Sequence, residues 1–364
     1  MYTRLAEGIF LLMNPLQKLY QLLKINYWFK FSMEVFNVKK YFWAPHVHWR
    51  NENNHIIIND FQFRGKVVEL FPDIYFHFQK GISLSEIYVI FKDFNPKILK
   101  MFLKDLIRNR VLVCNVSTPT ELFETQNKFV YQEYDDEFFL YKENIESYKK
   151  KQLTRFMSKN TLQSIDLEEC SDLPSLVQNR KSTRNFDTSK MMNFSKFSRL
   201  LNVFKQSPIQ EGIKYFYPSA GGLYPVNIYL YIKDGRVENL EEGIYFYNPH
   251  SHSINLLNRV KLAEKKYHYF INHSAFNTSN FSIFFTLDCD VIMPKYKGAG
   301  YYYGILECGV MSATLANIAE YFDVGSCSIG EIDFDKIKDE FNLNSNEIYL
   351  HSVEVGLKNK EVNH

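Results

Sequence analysis

The chain has 364 residues, of which 46% are hydrophobic and 16% aromatic, with a formal net charge of +2. That length allows two domains and a sizeable core, and that composition excludes a disordered chain. A charge so near balance gives no reason to expect nucleic acid or an anionic membrane as a partner. Five cysteines (Cys114, Cys170, Cys289, Cys308 and Cys327) are scattered without a CxxC, which suits a reducing cytoplasm better than a disulfide or zinc framework. The pairs His46/His48 and His250/His252 have no cysteine or carboxylate cluster beside them, so no metal is expected. The apolar run Ile9–Met13 is too short for a signal segment or a membrane span. The expectation is a cytoplasmic protein.

Residues 1–45 read as a helical extension, with Leu16, Leu19, Leu22 and Leu23 on one face after Pro15. Residues 46–116 read as a small unit. Within it, His55–Gly65 looks like a hairpin turning at Asn59–Asp60. Helices follow at about 67–80 and 84–92, the second opened by a Ser83/Glu86 capping box. Asn95–Pro96 opens a third, whose apolar face reads as Ile98, Met101, Phe102, Leu106 and Ile107, before a strand at Val111–Val116. Three helices and a strand make a winged-helix pattern. The third helix carries Lys97, Lys100, Lys104, Arg108 and Arg110 against Asp105. Solvation, DNA-groove binding and peptide recognition all remain open for that basic face. Residues 117–170, with the run Lys149–Lys151, read as a connector.

Residues 171–364 carry the chemistry. A short helix at Leu173–Gln178 delivers Arg180. Asn193 caps another, with Phe197, Leu200, Leu201 and Phe204 at helical spacing. The stretch from Pro218 to Pro225 closes a tight turn on Gly221 and Gly222. It feeds a half-buried strand in which Val226, Ile228, Leu230 and Ile232 alternate with Asn227, Tyr229 and Tyr231. Gly243–Tyr247 and Ile254–Leu257 form a hairpin about Asn248–Pro249, and Phe281–Leu287 is a further strand. Lys295-Tyr296-Lys297-Gly298 reads as irregular chain before a long helix at about 300–322. Gly325 reads as the residue that terminates that helix. The last strand is Glu347–Leu357. Strands and helices in this order indicate an α+β fold.

Three stretches point to a flat, phosphorylated ligand. Paired glycines let backbone N–H groups approach such a ligand closely, and Ser219 adds a hydroxyl at the same place. Arg180, Ser182 and Arg184 stand at spacing two, so an extended segment turns all three side chains one way. Two guanidinium groups and a hydroxyl suit a phosphate, although a solvated basic loop is the competing reading. Gly325–Gly330 is the third. No Rossmann fingerprint is present, so a tightly held NAD is not expected.

These motifs in this order resemble the nitroreductase-like flavin enzymes, and within them the SagB/McbC-type azoline dehydrogenases, which oxidise thiazoline and oxazoline rings in ribosomally made peptides. The resemblance runs from about residue 165 to the end, and more loosely over 45–116. It implies a nitroreductase-like FMN domain at 171–364. Arg180, Ser182 and Arg184 would hold the phosphate, while Pro218, Ser219, Ala220, Gly221 and Gly222 would line the isoalloxazine. Ser328, Ile329 and Gly330 would add backbone contacts. Related folds often place a late basic residue at the phosphate, whereas here Gly330 is followed by Glu331. Such dehydrogenases carry an adjacent Lys-Tyr pair before the long helix, and Lys295 and Tyr296 match it. One of them would take the ring Cα proton while hydride leaves Cβ. Tyrosine is a poor base at neutral pH unless its phenolate is stabilised, and a neighbouring ammonium does that. Lys297 is a spare candidate. Tyr301–Tyr303 could face substrate, a core or a dimer seam. The resemblance further implies a homodimer with each flavin at the subunit interface, an azoline-containing precursor peptide and a cyclodehydratase as partners, and leader-peptide recognition by residues 46–116. Two other readings stay open: an NAD(P)H-dependent reductase of nitro, quinone or dehydroamino-acid substrates, and a non-catalytic peptide-binding scaffold.

Overall fold

A computed structural model describes residues 39–359, apart from 60, 131–133, 136, 156–161, 211 and 331. The helix expected over Leu16–Leu23 lies outside the described residues. The chain divides into two compact units, Met1–Ser117 and Thr118–His364.

In the first unit, β1 (Lys40–Trp43) is followed by β2 (Trp49–Glu52), β3 (His55–Ile58) and β4 (Phe61–Phe63), which form an antiparallel sheet in that order. Ile58 pairs with Phe61 across a two-residue turn, where Asn59 takes φ 48. Helix α1 (Lys66–Gln79) leads through β5 (Ile82–Ser83) to α2 (Leu84–Ile90), α3 (Pro96–Arg108) and β6 (Leu112–Val113). The capping box forms, with Glu86 N donating to Ser83 Oγ and Ser83 N donating to Glu86. Strand β1 lies between β5 and β6, so the last strand is shorter than expected but paired. The apolar face of α3 differs from the expected one. Leu99, Phe102, Leu103 and Leu106 are buried, while Met101 is 67% exposed. That set completes the i, i+3, i+4, i+7 stripe. It packs into a core with Trp43, Phe71, Ile74 and Phe78, leaving Lys97, Lys100, Lys104 and Arg108 exposed.

The second unit opens with α4 (Pro119–Phe123), inside the stretch read as connector, and a helix at Lys142–Leu153 that holds the lysine run in solvent. Helix α5 (Ser175–Gln178) precedes the arginine motif, and Asn193 caps α6 (Phe194–Leu201) by accepting from Ser195 N at 2.8 Å. A two-stranded ribbon, β7 (Ser207–Ile209) and β8 (Gly212–Lys214), leads to the glycine turn. The main sheet comprises β9 (Val226–Ile232), β10 (Gly243–Asn248), β11 (Ser253–Asn258), β12 (Phe281–Asp288), β13 (Val324–Ile329) and β14 (Glu347–Leu357). Its order is β11-β10-β9-β12-β14-β13, and every neighbouring pair is antiparallel.

Strand β9 is not the half-buried strand its alternation suggests. It lies between β10 and β12, and both of its faces are covered. Its tyrosines are tolerated because each hydroxyl finds a carboxylate: Tyr229 Oη donates to Glu347 at 3.0 Å and Tyr231 Oη to Glu242 at 2.6 Å. Helices α7 (Cys289–Tyr296) and α8 (Gly298–Tyr321) follow β12. Close approach of α8 to the sheet depends on Gly304, where a Cβ would run into Leu287. Gly325 does not terminate α8. Asp323 takes the left-handed conformation, φ 53, and Gly325 already belongs to β13.

Candidate active site

The glycine turn is held by its own residues. Gly221 and Gly222 take φ +63 and +66, which L side chains rarely adopt. Ser219 O accepts from Gly222 N at 3.1 Å, and Ser219 Oγ accepts from Tyr224 N at 2.9 Å. Tyr224 stacks on Tyr215 at 3.8 Å. Pro218, Ala220 and the glycines thus form a short, rigid cradle.

Lys295 and Tyr296 converge on that cradle. The sequence places them in irregular chain; they occupy instead the last turn of α7, which contains Pro294 and ends where Lys297 takes φ 52. Adjacent helical residues ordinarily diverge. Here a Cβ built on Gly221 would overlap Tyr296 Oη and stand 2.6 Å from Lys295 Nζ. The ammonium lies 5.1 Å from the centre of the Tyr296 ring, and Tyr303 meets that ring edge-on at 5.2 Å. Only a residue without a side chain fits between them. Tyr301 is buried and Tyr302 is 59% exposed.

Glu307, which belongs to none of the three sequence motifs, adjoins the cradle at Ser219. It is 3% exposed, and neither carboxylate oxygen meets a hydrogen-bond partner in good geometry among the described residues. Burial pushes the carboxyl up to about 7, with the Ser219 hydroxyl acting in the opposite sense. Burial and the Glu307 charge together raise Tyr217 as well. A carboxyl poised near neutrality beside a candidate site can hold or release a proton. The sequence does carry a signal for it: Glu307 is the one charged residue between Lys297 and Glu320.

The arginine motif runs along the edge of the sheet. Ser182 bridges Ser326 in parallel register, and Thr183 N donates to Ser326 O at 2.9 Å. Gly325 permits this approach, since a Cβ there would stand 2.8 Å from the Thr183 side chain. The stretch Gly325–Gly330 is therefore not a glycine loop, and its first glycine serves packing. With Thr183 turned inward, Arg180, Ser182 and Arg184 are exposed. Arg184 lies near enough to Cys327 to oppose the effect of burial on that thiol. Ile329 is a core residue, 1% exposed, so it can offer a ligand only backbone. Ser328 and Gly330 are exposed.

Arg180 and Ser328 share a cavity of about 650 Å³ with Pro119 and Phe123 of α4, Ile305, Cys308, Ser312 and Ala316 of α8, and Leu350 and His351 of β14. Arg180 has no hydrogen bond or ion pair among the described residues, and no acidic side chain among them lines the cavity. An unpaired guanidinium at a largely apolar cavity without a counter-charge is suited to an anionic ligand.

At 3.6 residues per turn, Tyr303 and Glu307 share one flank of α8, and Ile305, Ser312 and Ala316 lie about half a turn away. The cradle with Lys295 and Tyr296 is thus on one flank of the long helix. The Arg180 cavity is on the other.

Residues 177–356 match the model of the Nitroreductase family. This segment is a nitroreductase-family domain. A Methanocaldococcus jannaschii protein carrying a nitroreductase name is 24% identical over 201 residues, covering 53% of this chain and 94% of that one. Among solved structures, a nitroreductase-type protein of Ralstonia eutropha is 18% identical at a TM-score of 0.44, covering 54% of this chain and 89% of that one. A chain of the Escherichia coli microcin synthetase McbBCD complex with truncated pro-MccB17 is 18% identical at 0.43, covering 77% and 98%. The cofactor of the nitroreductase-family domain is FMN. The residues present fit it: the cradle is open at Gly222, where nothing lies within 4 Å of a built Cβ, and Arg180 has no hydrogen bond or ion pair among the described residues and so is available to the phosphate. Among the described residues no helix is long and apolar enough to cross a membrane, and no side-chain group could hold a metal.

Proposed function

We propose that this flavin oxidoreductase oxidises thiazolines or oxazolines of a peptide to thiazoles or oxazoles. The observation that carries the reading is the meeting of Lys295 Nζ and Tyr296 Oη over Gly221. Bound FMN supplies the two-electron acceptor. The protein's own task is to remove the ring Cα proton, and Lys295 and Tyr296 are placed together to do it. Glu307 stands behind Ser219 as a second proton-holding group.

The phosphate is held by Arg180, with Ser182 and Arg184 beside it, and the ring by Ser219–Gly222. The two sets flank opposite sides of α8, so one flavin uses the arginines of one copy and the cradle of a second. The working unit is accordingly a homodimer. An azoline is made by cyclodehydration of a cysteine, serine or threonine, so a cyclodehydratase and a precursor peptide are the partners this chemistry requires. In the first unit β4 is an edge strand, and an extended leader segment can pair with it.

The family match equally favours an NAD(P)H-dependent reductase of nitro, quinone or dehydroamino-acid substrates. Incubating the FMN-loaded protein aerobically with a short thiazoline peptide separates the two. Loss of two hydrogens per ring by mass spectrometry supports the dehydrogenase. An unchanged peptide, with rapid NADPH consumption on a nitroarene, replaces it with the reductase.

A further inference from the structure

The arginine cavity contains a basic residue with no assigned role. His351 lies on β14 at a break in register: Phe285 pairs with His351 and Thr286 with Tyr349, so Leu350 is an extra residue on β14. In a regular strand Leu350 and His351 would point to opposite faces. The bulge turns both into the same cavity, facing Arg180 and Ser328, and re-aiming a side chain is what a bulge beside a site does. His351 has no side-chain hydrogen bond among the described residues. The other lining groups that can ionise are Arg180 and Cys308. Burial raises the Cys308 thiol to about 12, which keeps it uncharged, and burial alone depresses the basicity of His351.

We propose that His351, with Arg180, binds the phosphate of FMN and so takes the place of the late basic residue that Glu331 does not provide. The proposal rests on the flavin reading above. The bound phosphate accepts N–H hydrogen bonds from the imidazolium and from the guanidinium. An imidazole kept neutral by burial in the free site takes up a proton when the dianion enters, so binding and protonation are linked.

Riboflavin, which lacks the phosphate, provides the test. The flavin-free full-length protein is titrated with FMN and with riboflavin by fluorescence quenching between about pH 6 and 8.5. In His351→Gln, the preference for FMN over riboflavin is expected to fall by about 10- to 100-fold, the range of one charged hydrogen bond, with riboflavin affinity retained. His351→Arg is expected to keep the preference and to lose the linked proton uptake. Calorimetry of the wild type in two buffers of different ionisation heat should show net proton uptake with FMN and none with riboflavin. The proposal is overturned if His351→Gln keeps the wild-type preference, if both ligands weaken equally, or if FMN binds without proton uptake. A wild type that binds neither flavin overturns the cofactor reading itself.

Discussion

Gly221→Ala and Gly222→Ala form a matched pair. Both glycines have nearly the same positive φ, +63 and +66, so an added Cβ costs each about 1–2 kcal/mol in backbone strain. At Gly222 the cost ends there, since nothing lies within 4 Å of the new atom. At Gly221 the methyl overlaps Tyr296 Oη and stands 2.6 Å from Lys295 Nζ. Both are far ends of flexible side chains, so they withdraw by roughly 1 Å rather than unfold the domain, and misplacement on that scale costs about 100-fold in rate. The expected result is similar thermal stability and flavin content for the two variants. Turnover of Gly221→Ala should lie about 100-fold below that of Gly222→Ala, a barrier increase of about 2.7 kcal/mol. Equal turnover at equal flavin content would refute a role for the Lys295–Tyr296 convergence. So would a stability loss confined to Gly221→Ala.

Tyr296→Phe should keep its flavin absorbance and lose most turnover, whereas Arg180→Ala should purify without flavin; full activity of Tyr296→Phe removes the proton-transfer role. Folding raises Glu307 from the ordinary carboxyl value of 4.5 to about 7, so the folded state binds an extra proton between those limits. Its contribution is fully present below about pH 4.5 and declines by about 3 kcal/mol as pH rises through 7. Thermal melts of Glu307→Gln should lack this alkaline decline, and parallel pH profiles for variant and wild type would contradict it. Lys233 Nζ pairs with buried Glu354 at 3.1 Å, so Glu354→Leu should cost about 3–5 kcal/mol by stranding the lysine; denaturant titration measures it, and a neutral result would show that the pair is dispensable.

Local rules recovered much of the fold. Glu347–Leu357, the Asn193 cap and the Ser83/Glu86 box need only their own residues, and each forms as the sequence implies. Failures occurred where distant packing decides. Period-two alternation in β9 could not reveal that both faces of this central strand would be buried, because Tyr229 and Tyr231 look polar until their carboxylate partners are known. Gly325 has a helix-ending position in sequence, yet it serves the approach of Thr183, some 140 residues earlier in the chain. Pro294 concealed α7, and the convergence of its last two residues depends on where the chain leaves the helix at Lys297. Residue types at the candidate site could be read from the motifs. Glu307 stood out only as a lone charge in an apolar helix, its burial unseen, and His351 carried no signal, since a bulge defines it.

Mixing two inactive variants tests the composite site most directly. In the proposed homodimer, co-expressed Arg180→Ala and Tyr296→Phe chains would pair so that one site receives both defects and the other receives neither. If flavin bridges two copies, turnover should return to about a quarter of the wild-type level for random pairing in a twofold dimer. A mixture no more active than either variant alone would contradict it, placing the arginines and the cradle in sites that do not meet.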